Sequence, residues 1–253
     1  MKTALFLSAG AIVAACSTAN AGIYAWDWTR GQPVSAGISD AGGTLHSIST
    51  TFDTETNRLA WSVTFSNQVT DGFTLVLSPG PNPKGHPGEL AIVYFDSKNM
   101  GAPRASVYNY NGENTLTSYR DGSPASGTQA PDVITNTTFE SGVFESISAV
   151  DADGKRTLSF VMNATGVNSH LPLYPNPNGN DWTGVAFGEK VGVWLHPIKN
   201  LSRSYNDGGF LTSWSGTHGW MDGNNISTRL VPTPGAAALA GVGGLLMVRR
   251  KRA

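Results

Sequence analysis

Cysteine is nearly absent from this 253-residue chain: Cys16 is the single one. A domain downstream of it has no disulfide to hold it, no thiol nucleophile and no zinc–thiolate site, so stability must come from core packing. Charge is also scarce, with 14% Asp, Glu, Lys and Arg. The interior of the chain carries no run of Lys or Arg, which argues against nucleic acid as a partner. Five histidines, at 46, 86, 170, 196 and 218, form neither His-x-His nor His-Glu-x-x-His, and no acid stands at ligand spacing, so no metal or cofactor is expected. A Gly-x-Ser-x-Gly elbow is missing, and the nearest string, Ser213-Trp214-Ser215-Gly216, lacks its leading glycine. No fixed-period repeat and no three-turn amphipathic helix is present.

What the chain does carry lies first at its two ends. Met1-Lys2-Thr3 gives a short positive start, Ala4 to Ala15 an apolar stretch, and Ala19-Asn20-Ala21 a small-x-small cleavage site before Gly22. Residues 1–21 therefore read as a secretory signal peptide. A rival cut exists at Val13-Ala14-Ala15-Cys16, a loose lipobox in which Cys16 would be lipidated. At the other end, Val231-Pro232-Thr233-Pro234-Gly235 precedes an apolar run from Ala236 to Val248, then Arg249, Arg250, Lys251 and Arg252. The 13 apolar residues make roughly 20 Å of helix, and the 18 uncharged residues from Val231 approach the lower limit for crossing ~30 Å of hydrocarbon. The basic cluster is expected to stay on the cytoplasmic side as a stop-transfer signal.

A short proline-containing motif, an apolar helix and an Arg-rich end at the extreme C-terminus resemble the PEP-CTERM sorting signal. Pro232-Thr233-Pro234 stands where the usual Pro-Glu-Pro does, so the match is to a variant form lacking the middle acid. The resemblance covers residues 231–253, about a tenth of the chain. It implies recognition by a membrane-embedded exosortase, processing near the motif and delivery to the cell surface, after an initial inner-membrane anchorage by the C-terminal helix. Without Lys2 and the four terminal cations the exported part has 12 basic against 18 acidic residues, a net charge of about −6.

The 209 residues from Gly22 to Leu230 suit one β domain. Leu59, Trp61, Val63 and Phe65 alternate with Ala60, Ser62 and Thr64, the pattern of a half-buried strand over 58–65. Further strands are expected at 72–78, 89–95, 143–150, 156–163 and 184–195, and weaker ones at 23–28, 44–51, 105–110 and 225–230. Asp53 to Asn57 and Asp151-Ala152-Asp153-Gly154 read as hairpin turns. Thirty glycines and fourteen prolines suit short strands and irregular loops. The expected fold is all-β: an antiparallel β-sandwich, of jelly-roll type in its finer form. Two long loops, 79–88 and 170–181, interrupt it.

Chemistry is sparse in this domain. A glycosidase needs two carboxylates flanking the scissile bond. The available pairs are Asp53 with Glu55, in a turn, and Glu140 with Glu145; both read more simply as solvated acids. The Glu-x-Asp-x-x-Glu signature of one large sandwich glucanase family is missing. Asp151 to Gly154 offers carboxylates to calcium but lacks the acid at the twelfth loop position of an EF-hand, and a plain hairpin is the simpler reading. The aromatics are the better clue. Trp61 and Trp194 stand in apolar alternation and read as core, whereas Trp182, Trp214 and Trp220 sit among Gly, Asn, Asp, Ser and Thr. Exposed rings beside such donors make a sugar-binding face, the alternative being satellite packing under loops. The sequence leads to an exported, non-catalytic surface or envelope protein. A carbohydrate (exopolysaccharide) binding module is the first alternative, predicting Trp182, Trp214 and Trp220 exposed on one face, and a secreted glycoside-active enzyme is the second.

Overall fold

The computed structural model describes residues 22–78, 90–110, 133–137, 142–171 and 184–231. In chain order the elements are β1 Ile23–Thr29, β2 Ile38–Ser39, β3 Leu45–Asp53, β4 Arg58–Phe65, β5 Gly72–Ser78, β6 Leu90–Asp96, β7 Arg104–Tyr110 and β8 Val133–Asn136. There follow β9 Phe144–Ala152, β10 Lys155–Asn163, a single helical turn α1 Thr165–Asn168, β11 Lys190–Tyr205, β12 Leu211–His218, β13 Trp220–Ser227 and β14 Arg229–Val231. They form two antiparallel sheets. The six-stranded sheet runs β14-β1-β3-β4-β10-β9; the eight-stranded one runs β2-β13-β11-β5-β6-β7-β8, with β12 also paired to β11.

Alternation in the sequence becomes layering here because successive strand side chains point to opposite faces. Leu59, Trp61, Val63 and Phe65 of β4 all face inward, as do Ile48 and Phe52 of β3 and Leu158, Phe160 and Met162 of β10. They pack in one cluster with Phe73, Leu75, Val93, Phe95, Val107, Val193 and Leu195 of the other sheet, the arrangement of a β-sandwich. The outer face of the six-stranded sheet is lined with hydroxyls. Ser49, Ser62, Ser159 and Ser148 stand side by side across four strands, and Thr64 bonds Thr157 at 3.0 Å in the neighbouring row.

Turn chemistry fixes the two hairpins of this sheet. Asp153 (φ 52°) and Gly154 (φ 72°) both take the left-handed conformation that a two-residue hairpin turn requires, and Asn57 (φ 54°) does so before β4.

The eight-stranded sheet is covered on its outer side as well. Beyond Ile198 strand β11 changes register at Asn200, which has φ 54°, and continues with β12 as a hairpin. Ile198, Leu201, Leu211 and Trp214 then bury Val76, Ile92, Tyr94 and Tyr108 in a second cluster. The strand expected over 184–195 therefore begins later, at Lys190, and runs on to Tyr205. Its second half looks polar because only Ile198, Leu201 and Tyr205 need to face the sheet. Strands β2, β8 and β12 lacked a clear alternation in the sequence. Each is short or packs through one or two residues.

Polar ties hold this hairpin down. Asp96, whose side chain is 2% exposed, accepts from Arg203 Nε and the Tyr205 hydroxyl, both at 2.7 Å, and from the Lys98 backbone N–H at 2.9 Å. The Arg104 guanidinium lies 3.8 Å from the Tyr205 ring centroid. The Tyr108 hydroxyl donates to the Leu211 carbonyl. Burial, together with the Asp96 charge, pushes the Tyr205 hydroxyl pKa well above its ordinary value, while the hydrogen bond to Asp96 raises that of Arg203.

Candidate functional site

An opening with an apolar floor lies at the side of the sandwich, between β1 of one sheet and β13 of the other. Trp26 and Trp28 face inward on β1, the strand next to the edge, and Met221 and Ile226 approach from β13. The space between them is about 300 Å³. Residues 30–37 wrap its mouth and are pinned rather than loose. The Trp28 indole donates to the Gln32 carbonyl at 3.2 Å, the Thr29 N–H donates to Gln32 Oε1 at 2.7 Å, and Arg30 forms a two-pronged pair with Asp40 at 2.8 and 2.6 Å. Ser35 Oγ donates to the Asn224 carbonyl at 3.3 Å and accepts its N–H at 2.7 Å, tying the loop to β13.

Among the described residues no charged side chain lines this groove. Its floor is indole and aliphatic, its rim is Pro33, Val34, Ser35, Asn224 and Asn225, and Asn225 is held at φ 50°. An apolar floor with a few amide and hydroxyl groups at the rim suits a neutral ring with one C–H face and several hydroxyls. The indoles offer little open surface, since Trp26 and Trp28 are 8% and 4% exposed. No local pattern in the sequence sets Trp26 and Trp28 apart from the other aromatics. Their role depends on β1 lying beside the edge of its sheet, which only strand pairing reveals.

The three indoles expected to share an exposed face do not assemble as one among the described residues. Trp182 lies outside them. Trp214 is buried, 8% exposed, against Tyr94 (ring centroids 6.1 Å apart) and His218 (6.1 Å) in the cluster beneath the β11–β12 hairpin. The neighbouring serines that suggested exposure line the opposite side of β12: Ser213 and Ser215 are exposed while Trp214 turns inward. Trp220 is 36% exposed, and its ring covers Gly37, where φ is 107°.

Several of the described acids carry structural duties. Asp53 accepts from the Thr56 hydroxyl (2.7 Å) and the Glu55 N–H (2.9 Å), and these bonds lower its pKa. Glu145 pairs with Arg58 at 2.7 Å, and Glu140 lies outside the described residues. Asp151 makes two 2.8 Å bonds to Arg156, which hold its carboxyl below the usual range and raise the guanidinium pKa. Asp153 occupies a tight turn. Among the described residues no three His, Cys, Asp or Glu are grouped to hold a metal ion.

Of the sorting motif, Val231 is described: it ends β14 and pairs with Ile23. Pro232, Thr233, Pro234 and Gly235 lie outside, as do Arg249, Arg250, Lys251 and Arg252 and residues 1–21. Among the described residues no helix is long and apolar enough to cross a membrane. Gly22 already belongs to the fold, its N–H donating to Thr54 Oγ1 at 3.0 Å and its carbonyl accepting the Thr54 N–H at 3.2 Å. No family model, curated protein or solved structure matches this chain.

Proposed function

We propose that this chain is an exported bacterial surface or envelope protein, sorted through its C-terminal segment, whose folded part acts by binding rather than by catalysis. One observation carries the reading: Ile23 pairs with Val231, so the fold opens two residues after the Ala19-Asn20-Ala21 site and closes one residue before Pro232. Every described strand lies between Ala21 and Pro232. In its finer form the fold is of jelly-roll type. What supports that form is a pair of neighbouring crossings: β4 and β5 pass from one sheet to the other beside β10 and β11, which make the same passage.

The sorting reading is tested by replacing Pro232 and Pro234 with Ala in the full chain and following mature mass and location. Loss of processing and surface delivery is expected; normal delivery would refute the sorting reading.

A second reading, binding of a neutral exopolysaccharide, is favoured by the uncharged Trp26–Trp28 groove with its Ser35 and Asn224 rim. It calls for a glycan array probed with the processed protein and with a Val34→Arg variant that fills the mouth. Retention of neutral hexose polymers by the first and not the second is expected. No retention by the unaltered protein would remove this reading.

A further inference from the structure

We propose that Asn225 is the residue by which the Trp26–Trp28 groove selects its ligand, a neutral pyranose ring carrying two adjacent free hydroxyls; the inference rests on the exopolysaccharide reading above. An irregularity of β13 carries it. Gly223 pairs with Val193 and Ile226 with Val191, so Asn224 and Asn225 together stand opposite the single residue Gly192. That is a β-bulge, a device that re-aims side chains. It falls at the mouth of the groove, whose lining includes both asparagines.

The bulge is fastened on both sides. The Ala36 N–H donates to the Asp222 carbonyl and the Asp222 N–H to the Gly37 carbonyl, both at 3.2 Å, so the groove loop follows β13 up to the irregularity. At the bulge itself Ser35 Oγ takes over, accepting the Asn224 N–H at 2.7 Å and donating to the Asn224 carbonyl at 3.3 Å. The Ile226 side chain folds back so closely over Gly223 that a Cβ there would stand 2.4 Å from its Cδ1. A bulge locked in this way gives the side chain at its crest a fixed position.

Asn225 stands at that crest. Its φ of 50° is left-handed, and it occurs inside a strand rather than in a turn as for Asn57 and Asp153. Glycine meets such a backbone at no steric cost, yet the position carries a carboxamide. The residue is exposed, and its carboxamide has no partner among the described residues. The other polar groups of the rim are occupied or covered: Ser35 Oγ is engaged twice by Asn224, and Asn224 Oδ1 is shut off from solvent.

A carboxamide presents an acceptor and a donor side by side. Two hydroxyls on neighbouring ring carbons present the complement, one donating to Oδ1 while the other accepts from Nδ2. A lone hydroxyl satisfies only half of the group. The indole and aliphatic floor then covers the C–H face of the same ring. The space of about 300 Å³ stands at the lower end of small-molecule sites and suits a single ring rather than a long stretch of polymer.

The test has a protein arm and a ligand arm, both on the full chain in detergent. Asn225→Gly keeps the left-handed backbone and deletes the carboxamide. Its Tm is expected within about 4 °C of the unaltered protein, while its retention of neutral hexose polymers falls about tenfold. Unchanged retention would overturn the proposal, and so would a collapse of Tm, which would make Asn225 a prop of the bulge. In the ligand arm the neutral hexose polymers are sorted by linkage. Those whose internal rings keep two adjacent free hydroxyls, such as dextran, are expected to be held about tenfold more tightly than linear glucans linked through the third carbon, whose internal rings keep none adjacent. Equal or reversed preference overturns the assignment to a hydroxyl pair and leaves the exopolysaccharide reading standing. If the unaltered protein retains no neutral hexose polymer, that reading falls and this inference with it.

Discussion

Removing Asp96 should unfasten the β11–β12 hairpin from the outer face of the eight-stranded sheet. The carboxylate is buried and accepts three hydrogen bonds, two of them on Oδ2 from Arg203 and Tyr205. Hydrogen bonds to a charged group contribute about 1.5–3 kcal/mol each, and breaking a buried ion pair costs about 3–5 kcal/mol. Arg203 is 29% exposed, so after truncation its guanidinium regains part of its hydration. We therefore expect Asp96→Ala to lose about 3 kcal/mol, toward the lower end of that range.

For a domain of this size that is a fall in Tm of roughly 6–12 °C. Urea unfolding followed by tryptophan fluorescence reads it directly, because Trp194 and Trp214 belong to the same cluster. The slope of the transition should stay unchanged, placing the effect in native-state stability rather than in the denatured ensemble. A double-mutant cycle with Arg203→Met should give a coupling of about 1–2 kcal/mol. A loss under about 1 kcal/mol for Asp96→Ala, or a coupling near zero, would refute the assignment of this network as the hairpin's fastening.

Two further outcomes follow from close approach and from charge. Gly72→Ala should destabilise strongly, by about 3 kcal/mol or more, since a Cβ there collides with the Phe95 carbonyl oxygen across the β5–β6 pair; thermal melting checks it. For Asp151 the folded pKa lies below the ordinary 3.8, so its pairing with Arg156 stabilises the fold above that value and is lost as pH falls through the depressed one. The stability gap between Asp151→Asn and the unaltered protein should be about 1–2 kcal/mol near pH 6 and close below pH 3.8; a gap independent of pH would contradict the pairing.

Strand existence was written in local pattern wherever one face is buried and the other wet. Leu59, Trp61, Val63 and Phe65 are the clearest case, and Asp153-Gly154 named its own turn because left-handed backbone selects Asp and Gly. The pattern failed where burial came from a third layer. The half of β11 after Leu195 alternates poorly because it covers the outside of a sheet through few residues, and Trp214 looked exposed because its neighbours on β12 are. The candidate groove was less legible still, since no local pattern marks Trp26 and Trp28 until β1 is placed beside the open side of the sandwich.

By itself the sequence determined the β character, the cysteine-free and acidic stretch from Gly22 to Leu230, the expectation of export from two terminal segments, and the turns whose backbone demands particular residues. These are local properties, set by period, charge and φ. Only tertiary structure decided that the two ends of the fold meet as Ile23 and Val231, which indoles are covered, and that Asp96 and Asp222 rather than the turn acids are the buried carboxylates among the described residues. Each of those depends on which strands become neighbours, and neighbours are chosen by packing between residues up to about two hundred positions apart, a separation no local pattern encodes.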